Sequence, residues 1–397
     1  MAEQAYYYLS EKEKELLFIL FRYRGMRAKD LVVFYERTED YTLSEEKSVY
    51  NYLAALKRKR FVKSVRLQGV NDKGSMYYLT SDGLEAVKSL KNIEVGQSGS
   101  GLLPEGRNTT YWDIPYSYQV PPLKQTGHFL QTIEFFKKLI ADNRYPLSHR
   151  TNFYSILGYE EEGVRKKLLP DALVSINSDL YAIEIDQGTE NREQLINKFE
   201  KYKAYDEYAK AHNKRQVSTI LFIVPEKNRR HGMTRRWTNV LSAFFAAFDE
   251  KIPSINLIFL SMGDVPKVLE LEKKRKSWIE FELDELKDQA AKDYELLEYE
   301  GFTIAKNNHE YKAFIYYVHH EFESRIFRDL LAFQDTTKKF KKDKQFKDLT
   351  FKGWKGQLVY HNRKPVYPVG IENNELGITL IDLLESMKPR FEWYKKA

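Results

Sequence analysis

Three carboxylates, Asp171, Glu184 and Asp186, stand at the ends of two short apolar runs in PDALVSINSDLYAIEIDQ, residues 170–187. Residues two apart on a strand face the same side, so Glu184 and Asp186 point together while Ile183 and Ile185 point into packing. Whether Asp171 joins them turns on the intervening hairpin. A two- or four-residue loop around Asn177 to Leu180 puts it on their face; an unbulged three-residue loop puts it on the other. Clustered carboxylates repel one another and are costly to keep ionised without a cation. Oxygen donors at about 2.1 Å suit magnesium or manganese. Such an ion on a phosphodiester polarises the phosphorus–oxygen bond and acidifies a nearby water. The alternative is a hydrated hairpin end that holds no ion.

Other residues bear on the choice. Gln194, Lys198, Lys201 and Tyr205 follow at spacings of four, three and four, one helical stripe that could lie over the acids and face a phosphate backbone. Lys198 is the best-placed cation to orient a water or neutralise charge, although an amphipathic helix with a wet lysine face explains the same spacing. Glu134 and His128 fall on the preceding helix and are candidate participants, with a helix cap or a surface group as the plain reading of His128.

These residues need a sheet with helices on it. GHFLQTIEFFKKLIADN reads as an amphipathic helix, then come the two strands, then a long helix from near Thr189. QVSTILFIVPEK is a compact apolar strand, TRRWTNVLSAFFAAFDE a helix and SINLIFLSMG one more strand. Alternating helices and strands over roughly 124–270 imply a mixed sheet covered on both sides.

The first 92 residues read as a separate small architecture. Ser10 and Glu13 have capping-box spacing ahead of Leu16, Leu17, Ile19, Leu20 and Phe21, and Gly25 closes that helix. MRAKDLVVFYE is a second helix, SEEKSVYNYLAALKRKRF a third, VKSVRLQG and SMYYLTSD two strands, and SDGLEAVKSL a closing helix. Three helices followed by a hairpin is the winged-helix order, in which the third helix enters the major groove of duplex DNA. Lys57, Arg58, Lys59 and Arg60 sit where phosphates are expected, with Lys47, Tyr50 and Asn51 facing outward nearer the bases. A winged helix used for protein contacts or dimerisation is the alternative.

Composition narrows the classes. At 397 residues, with 42% hydrophobic residues, 28 Tyr and 24 Phe, the chain can build two or three packed domains despite a mean hydropathy of −0.59. With no cysteine, disulfides, thiolate zinc sites and cysteine nucleophiles are excluded, and any metal is oxygen- or histidine-bound. The net charge of +7 and pI near 9.0 favour polyanions as partners. Neither a membrane span nor a secretion signal is legible, so the expected location is the cytoplasm.

The stretch 93–123 is rich in Gly, Ser and Pro and reads as a linker or an ordered loop. From about 271 the chain turns to a highly charged helical segment and then to weaker helix and hairpin signals. KKFKKDKQFKDLTFK at 338–352 interleaves lysines with Phe340, Phe346 and Phe351, a composition that suits single-stranded DNA or, more plainly, a solvated loop or helix face. His319 and His320 are adjacent in a helix-like run, diverge, and read as structural.

Over roughly residues 1–270 the chain resembles the replication-relaxation family of plasmids and integrative elements. The likeness rests on YYLTSDG at the end of the N-terminal segment, Gly127 and His128 at a helix start, Leu169 to Ala172, EIDQGTE from Glu184 to Glu190, Lys198, and Tyr202 four residues later. That family is similar to conjugative relaxases whose core resembles PD-(D/E)XK restriction endonucleases. The resemblance implies metal-dependent, site- and strand-specific nicking at an origin of transfer or replication, with plasmid-transfer accessory proteins as further partners. By motif position Asp171 and Glu184 would be the metal ligands. Asp186 falls where nucleases of this type carry lysine. Either Asp186 is a further ligand and Lys198 substitutes for the lysine, or the site binds DNA without turnover.

The expected fold is therefore mixed α/β. It has a winged helix over 1–92, a linker over 93–123, a restriction-endonuclease-like α/β/α domain over 124–270 and a mostly helical, basic region over 271–397. The expected function is a relaxase-like nickase using Mg2+ or Mn2+; the alternative is a non-catalytic replication or transcription accessory with a degenerate nuclease-like core.

Overall fold

Ser10 starts the chain's first helix through a reciprocal cap: its hydroxyl accepts the Glu13 N–H while the Glu13 carboxylate accepts the Ser10 N–H. In the computed structural model the described residues are 8–67, 74–94, 96, 113–141, 148–151, 155–225, 232–248, 253–273, 295–299, 301–306, 309–318, 322–324 and 350–360. The chain divides into two compact units, Met1–Gln187 with Tyr208–Arg215, and Gly188–Glu207 with Gln216–Ala397. Both helices and sheets are present, as a mixed α/β chain requires.

In the first unit, α1 (Glu11–Tyr23) is followed by the short strand β1 (Met26–Arg27), α2 (Ala28–Glu36) and α3 (Leu43–Arg58). Next come β2 (Val62–Arg66), β3 (Ser75–Leu79) and α4 (Ser81–Leu90). The strands form a sheet in the order β1-β3-β2, antiparallel throughout. Leu16, Leu17 and Leu20 of α1, Leu31 and Val32 of α2, and Val49, Leu53 and Leu56 of α3 are fully buried and make the core of this part. Their helical spacing is why the three helices fold inward on one side and leave polar faces outside. A second reciprocal cap, Thr42 with Glu45, starts α3. The Lys59 ammonium at the end of α3 reaches back to Glu13 at 2.6 Å, joining the two capped helices.

Beyond α4, Asp113 pairs with Lys88 at 2.8 Å and accepts the Gly96 N–H, and the Tyr116 hydroxyl donates to the Leu79 carbonyl. The described parts of 93–123 are thus an ordered loop, carrying α5 (Tyr116–Gln119) and a 3-10 turn. Helix α6 (Thr126–Ala141) buries Phe129, Leu130, Ile133, Phe135, Phe136 and Leu139. Tyr23 at the end of α1 meets Phe34 edge-on, lies tilted to Phe136 and stacks on His149, and its hydroxyl shares a 2.5 Å hydrogen bond with His149 Nε2.

The strands β4 (Ser148–Thr151), β7 (Ala172–Ile176) and β8 (Asp179–Ile185) are antiparallel neighbours, with β7 between the other two. Between β4 and β7 a separate hairpin, β5 (Leu157–Glu161) and β6 (Val164–Leu168), turns through Glu162 and Gly163, both at positive φ. β7 and β8 are buried almost along their whole length.

In the second unit, most of α7 (Arg192–Ala211) precedes β9 (Val217–Val224), α8 (Gly232–Phe248) and β10 (Asn256–Ser261), with residues 265–273 again helical. β9 and β10 are parallel, and the crossing α8 buries Trp237, Phe244, Phe245 and Phe248. Phe199 of α7 packs edge-on to Phe244 and against Phe222 of β9. Residues 322–324 lie along β10: the Phe259 N–H donates to Phe322 and the Ser324 N–H to Leu257.

The region beyond 271 departs from the mostly helical expectation. Its described backbone forms β11 (Glu295–Tyr299), β12 (Gly301–Lys306), β13 (His309–Val318) and β14 (Thr350–Tyr360), a sheet in that order. Segments such as FTIAK and AFIYYV are β-branched and aromatic, a composition that favours strands over helices. His319, His320 and nearly all of the lysine-rich stretch 338–352 lie outside the described residues. No helix among the described residues is long and apolar enough to cross a membrane.

Candidate functional site

The β7–β8 turn has two residues, Asn177 and Ser178, between the paired Ile176 and Asp179. Asn177 takes a left-handed conformation, φ 55°, which asparagine tolerates and a β-branched residue does not. Arg215 clamps the turn by donating to the Ser175 hydroxyl and to the Ser178 and Asp179 carbonyls. The even loop sets the parity of the paired residues, which stop at Ala172 and Ile183. Glu184 and Asp186, two apart, share one face at the hairpin's open end. Asp171 has left that register, because two β7-side residues, Asp171 and Ala172, stand against Ile183.

Asp171 also builds that end. Its Oδ2 accepts the Ile185 N–H at 2.8 Å, and its own N–H donates to the Ile183 carbonyl. In a continued ladder the Ile185 N–H would reach the Pro170 carbonyl; that carbonyl instead accepts the Ser155 hydroxyl at 2.9 Å. The proline thus ends the regular pairing and the aspartate side chain replaces a lost backbone acceptor. His128, near the start of α6, places Nε2 at 3.0 Å from the Ile185 carbonyl and 3.3 Å from Asp171 Oδ2. With two acceptors before it, Nε2 is the protonated nitrogen. His128 thus holds both the β8 end and the Asp171 carboxylate. Glu184 and Asp186 are buried, at 5% and 2% exposure.

Among the described residues no three His, Asp or Glu side chains are gathered closely enough to cage a metal ion. The donor set is still hard oxygen. Magnesium is commonly held by one or two carboxylates together with waters and a substrate phosphate, and carboxylates are the donor type it takes.

The other candidates from the sequence are mostly engaged elsewhere. Glu134 on α6 is bound to Lys137 at 2.6 Å, with Lys138 at 3.9 Å. Lys198 on α7 pairs with Glu190 at 2.9 Å and lies over the Phe222 ring. Gln194 serves as a cap, exchanging hydrogen bonds with Asn191 at the start of α7. Tyr205 is buried, so the stripe from Gln194 is not a uniformly wet face, and Tyr202 is fully buried in a packing position. The roles of His149, Ser155 and Arg215 and the β5–β6 hairpin escaped the sequence reading. For the hairpin the signal existed, an acidic run and a basic run around Glu162-Gly163.

On α3, Lys47, Tyr50, Asn51, Lys57 and Arg58 are all exposed, as are Lys59 and Arg60 just beyond it. Lys57 donates to the Ser64 hydroxyl of β2 at 3.0 Å, and Lys59 is committed to Glu13. Partial burial, with Glu46, Tyr77 and Tyr41 nearby, pushes the Tyr50 hydroxyl above its ordinary pKa, so it is a protonated donor at neutral pH. Lys63 on β2 sits over the rings of Tyr78 and Tyr116.

Compared with protein-family models, residues 32–221 match replication-relaxation, a span that holds α3, His128 and all three hairpin carboxylates. No curated protein and no solved structure matches the chain.

Proposed function

We propose, from the premise that residues 32–221 belong to the replication-relaxation family, that the protein processes plasmid or mobile-element DNA. In this reading the order of α1, β1, α2, α3, β2 and β3 is a winged helix that docks α3 in the major groove of a duplex origin. The hairpin end, in a restriction-endonuclease-like core, then nicks one strand. Asp171 and Glu184 would hold a magnesium or manganese ion, which supplies polarisation of the phosphodiester and acidification of a bound water. His128 orients Asp171, and Asp186 adds negative charge on the face of Glu184.

The observation that supports this reading is the binding of Asp171 to the β8 end that carries Glu184 and Asp186, with its Oδ2 2.8 Å from the Ile185 N–H and 3.3 Å from His128 Nε2. A second reading, a DNA-binding accessory with an inactive core, draws support from Asp186 at the lysine position and from the absence of a three-donor cage among the described residues.

Supercoiled plasmid bearing the cognate origin, incubated with protein and manganese, separates the two. Asp171→Asn is preferable to alanine because it keeps an acceptor for the Ile185 N–H. Nicking by the wild type that falls at least about 100-fold in Asp171→Asn and Glu184→Gln supports the enzyme. Equal products from all three proteins eliminate it.

A further inference from the structure

The exposed face of α3 is not simply basic. Leu43, Lys47, Tyr50, Ala54 and Arg58 follow at spacings of four, three, four and four, and all are exposed, with Asn51 beside them. That spacing draws them into one stripe along the helix. Its side opposite is the buried row of Val49, Leu53 and Leu56. Glu46 borders the stripe beside Tyr50, and no carboxylate lies within it.

Contact with phosphates alone requires cations and donors, which Lys47, Lys57 and Arg58 supply. It does not call for Leu43, which stands 76% exposed at the first helical position. Nor does it call for Ala54 between Tyr50 and Arg58. In the major groove the thymine 5-methyl is the one apolar group that base edges offer, and the first residues of a docked recognition helix are the ones that meet base edges. Asn51 has the amide pair that matches adenine N6 and N7.

From this alternation we infer that α3 recognises A·T base pairs, with Leu43 and Ala54 seated on thymine methyl groups and Asn51 on adenine. The inference rests on the proposed docking of α3 in duplex DNA and adds the chemical class of its target. Tyr50, 42% exposed and protonated, contributes a donor and a ring edge at the centre of the stripe.

Uracil tests it directly, since it keeps every hydrogen-bonding group of thymine and lacks only the methyl. Duplexes are selected from a random-sequence library with the full-length protein, and the winning duplex is synthesised once with thymine and once with uracil. The wild type should bind the uracil duplex about fourfold more weakly for each seated methyl that the duplex no longer carries. Leu43→Ala should weaken binding to the thymine duplex and bring the two affinities closer together. Lys57→Ala should weaken both duplexes equally. Equal wild-type affinity for the two duplexes, or an unchanged ratio in Leu43→Ala, overturns the inference while leaving DNA binding intact. If no duplex is enriched at all, the docking of α3 falls with it.

Discussion

At Gly83 the chain has no room for a side chain, because a Cβ there would overlap the carbonyl oxygen of Phe61. This glycine ends the YYLTSDG motif and lets α4 start against the turn that follows α3, where Thr80 accepts the Gly83 N–H and donates to the Arg60 carbonyl. Backbone atoms cannot retreat as a flexible side chain would. Gly83→Ala should cost about 3 kcal/mol or more, read from urea unfolding; a change below about 1 kcal/mol would show the contact to be soft. Glu13 offers a residue-scale test in pH. Burial raises the pKa of its carboxyl, but hydrogen bonds from Lys59 and Ser10 and the Lys59 charge outweigh this and hold it below the ordinary 4.5. A lowered folded-state value means stability that is complete above the unfolded value and lost as pH falls through the folded one. Unfolding free energy of the wild type should therefore fall below pH 4.5 more steeply than that of Glu13→Gln. Parallel acid limbs in the two proteins would assign the acid sensitivity to other groups.

Helices α1 and α3 begin with the same reciprocal cap, and this is an element-scale device. Each satisfies N–H groups that have no partner within the helix and places carboxylates, Glu11 and Glu13 or Glu45 and Glu46, at the positive end of the helix dipole. For α3 the cap fixes where the helix starts, and so which residues form the stripe from Leu43 to Arg58. Thr42→Ala should lower stability by about 1 kcal/mol in chemical denaturation. Thr42→Ser, which keeps the hydroxyl, should lose little; equal losses in both would mean that the hydroxyl is not the source. The β7–β8 hairpin is set the same way from one end. A two-residue turn at Asn177 and Ser178 determines the parity of the paired residues, so a one-residue insertion there would set the buried face of β8 against the opposite face of β7.

At the scale of the whole molecule, residues far apart in the chain complete the second unit. Phe322 to Ser324 continue the hydrogen bonding of β10, and Asn256 donates to the Glu323 carboxylate at 3.1 Å in a buried position. Phe322 packs on Trp237 and Phe259. A chain ending at Lys273 lacks this cover and leaves the β10 edge open, the arrangement that promotes edge-to-edge association. The truncated protein should self-associate more than the full chain in size-exclusion chromatography with light scattering; identical profiles would show that 322–324 do not protect the edge.

What local sequence determined is the set of periodic segments. Capping boxes, the heptad-like leucines of α1 and α3, and the apolar runs of β7 to β10 all announce themselves, because burial of one face requires a regular spacing. The shared face of Glu184 and Asp186 follows from the same period of two. Tertiary structure alone decided the rest. Asp171's place depended on turn length, which the letters INSDL leave open, and on the break in register beyond Ala172. Its engagement with Ile185 and His128 depended on Ser155 taking the Pro170 carbonyl and on where α6 packs. Glu134 and Lys198, equally eligible by spacing, are drawn to Lys137 and Glu190, since a charged side chain binds the nearest opposite charge once the fold has set the distances. Among the described residues beyond 273 the expectation of helix gave way to strands, because charge content describes solubility while β-branched and aromatic residues favour a sheet.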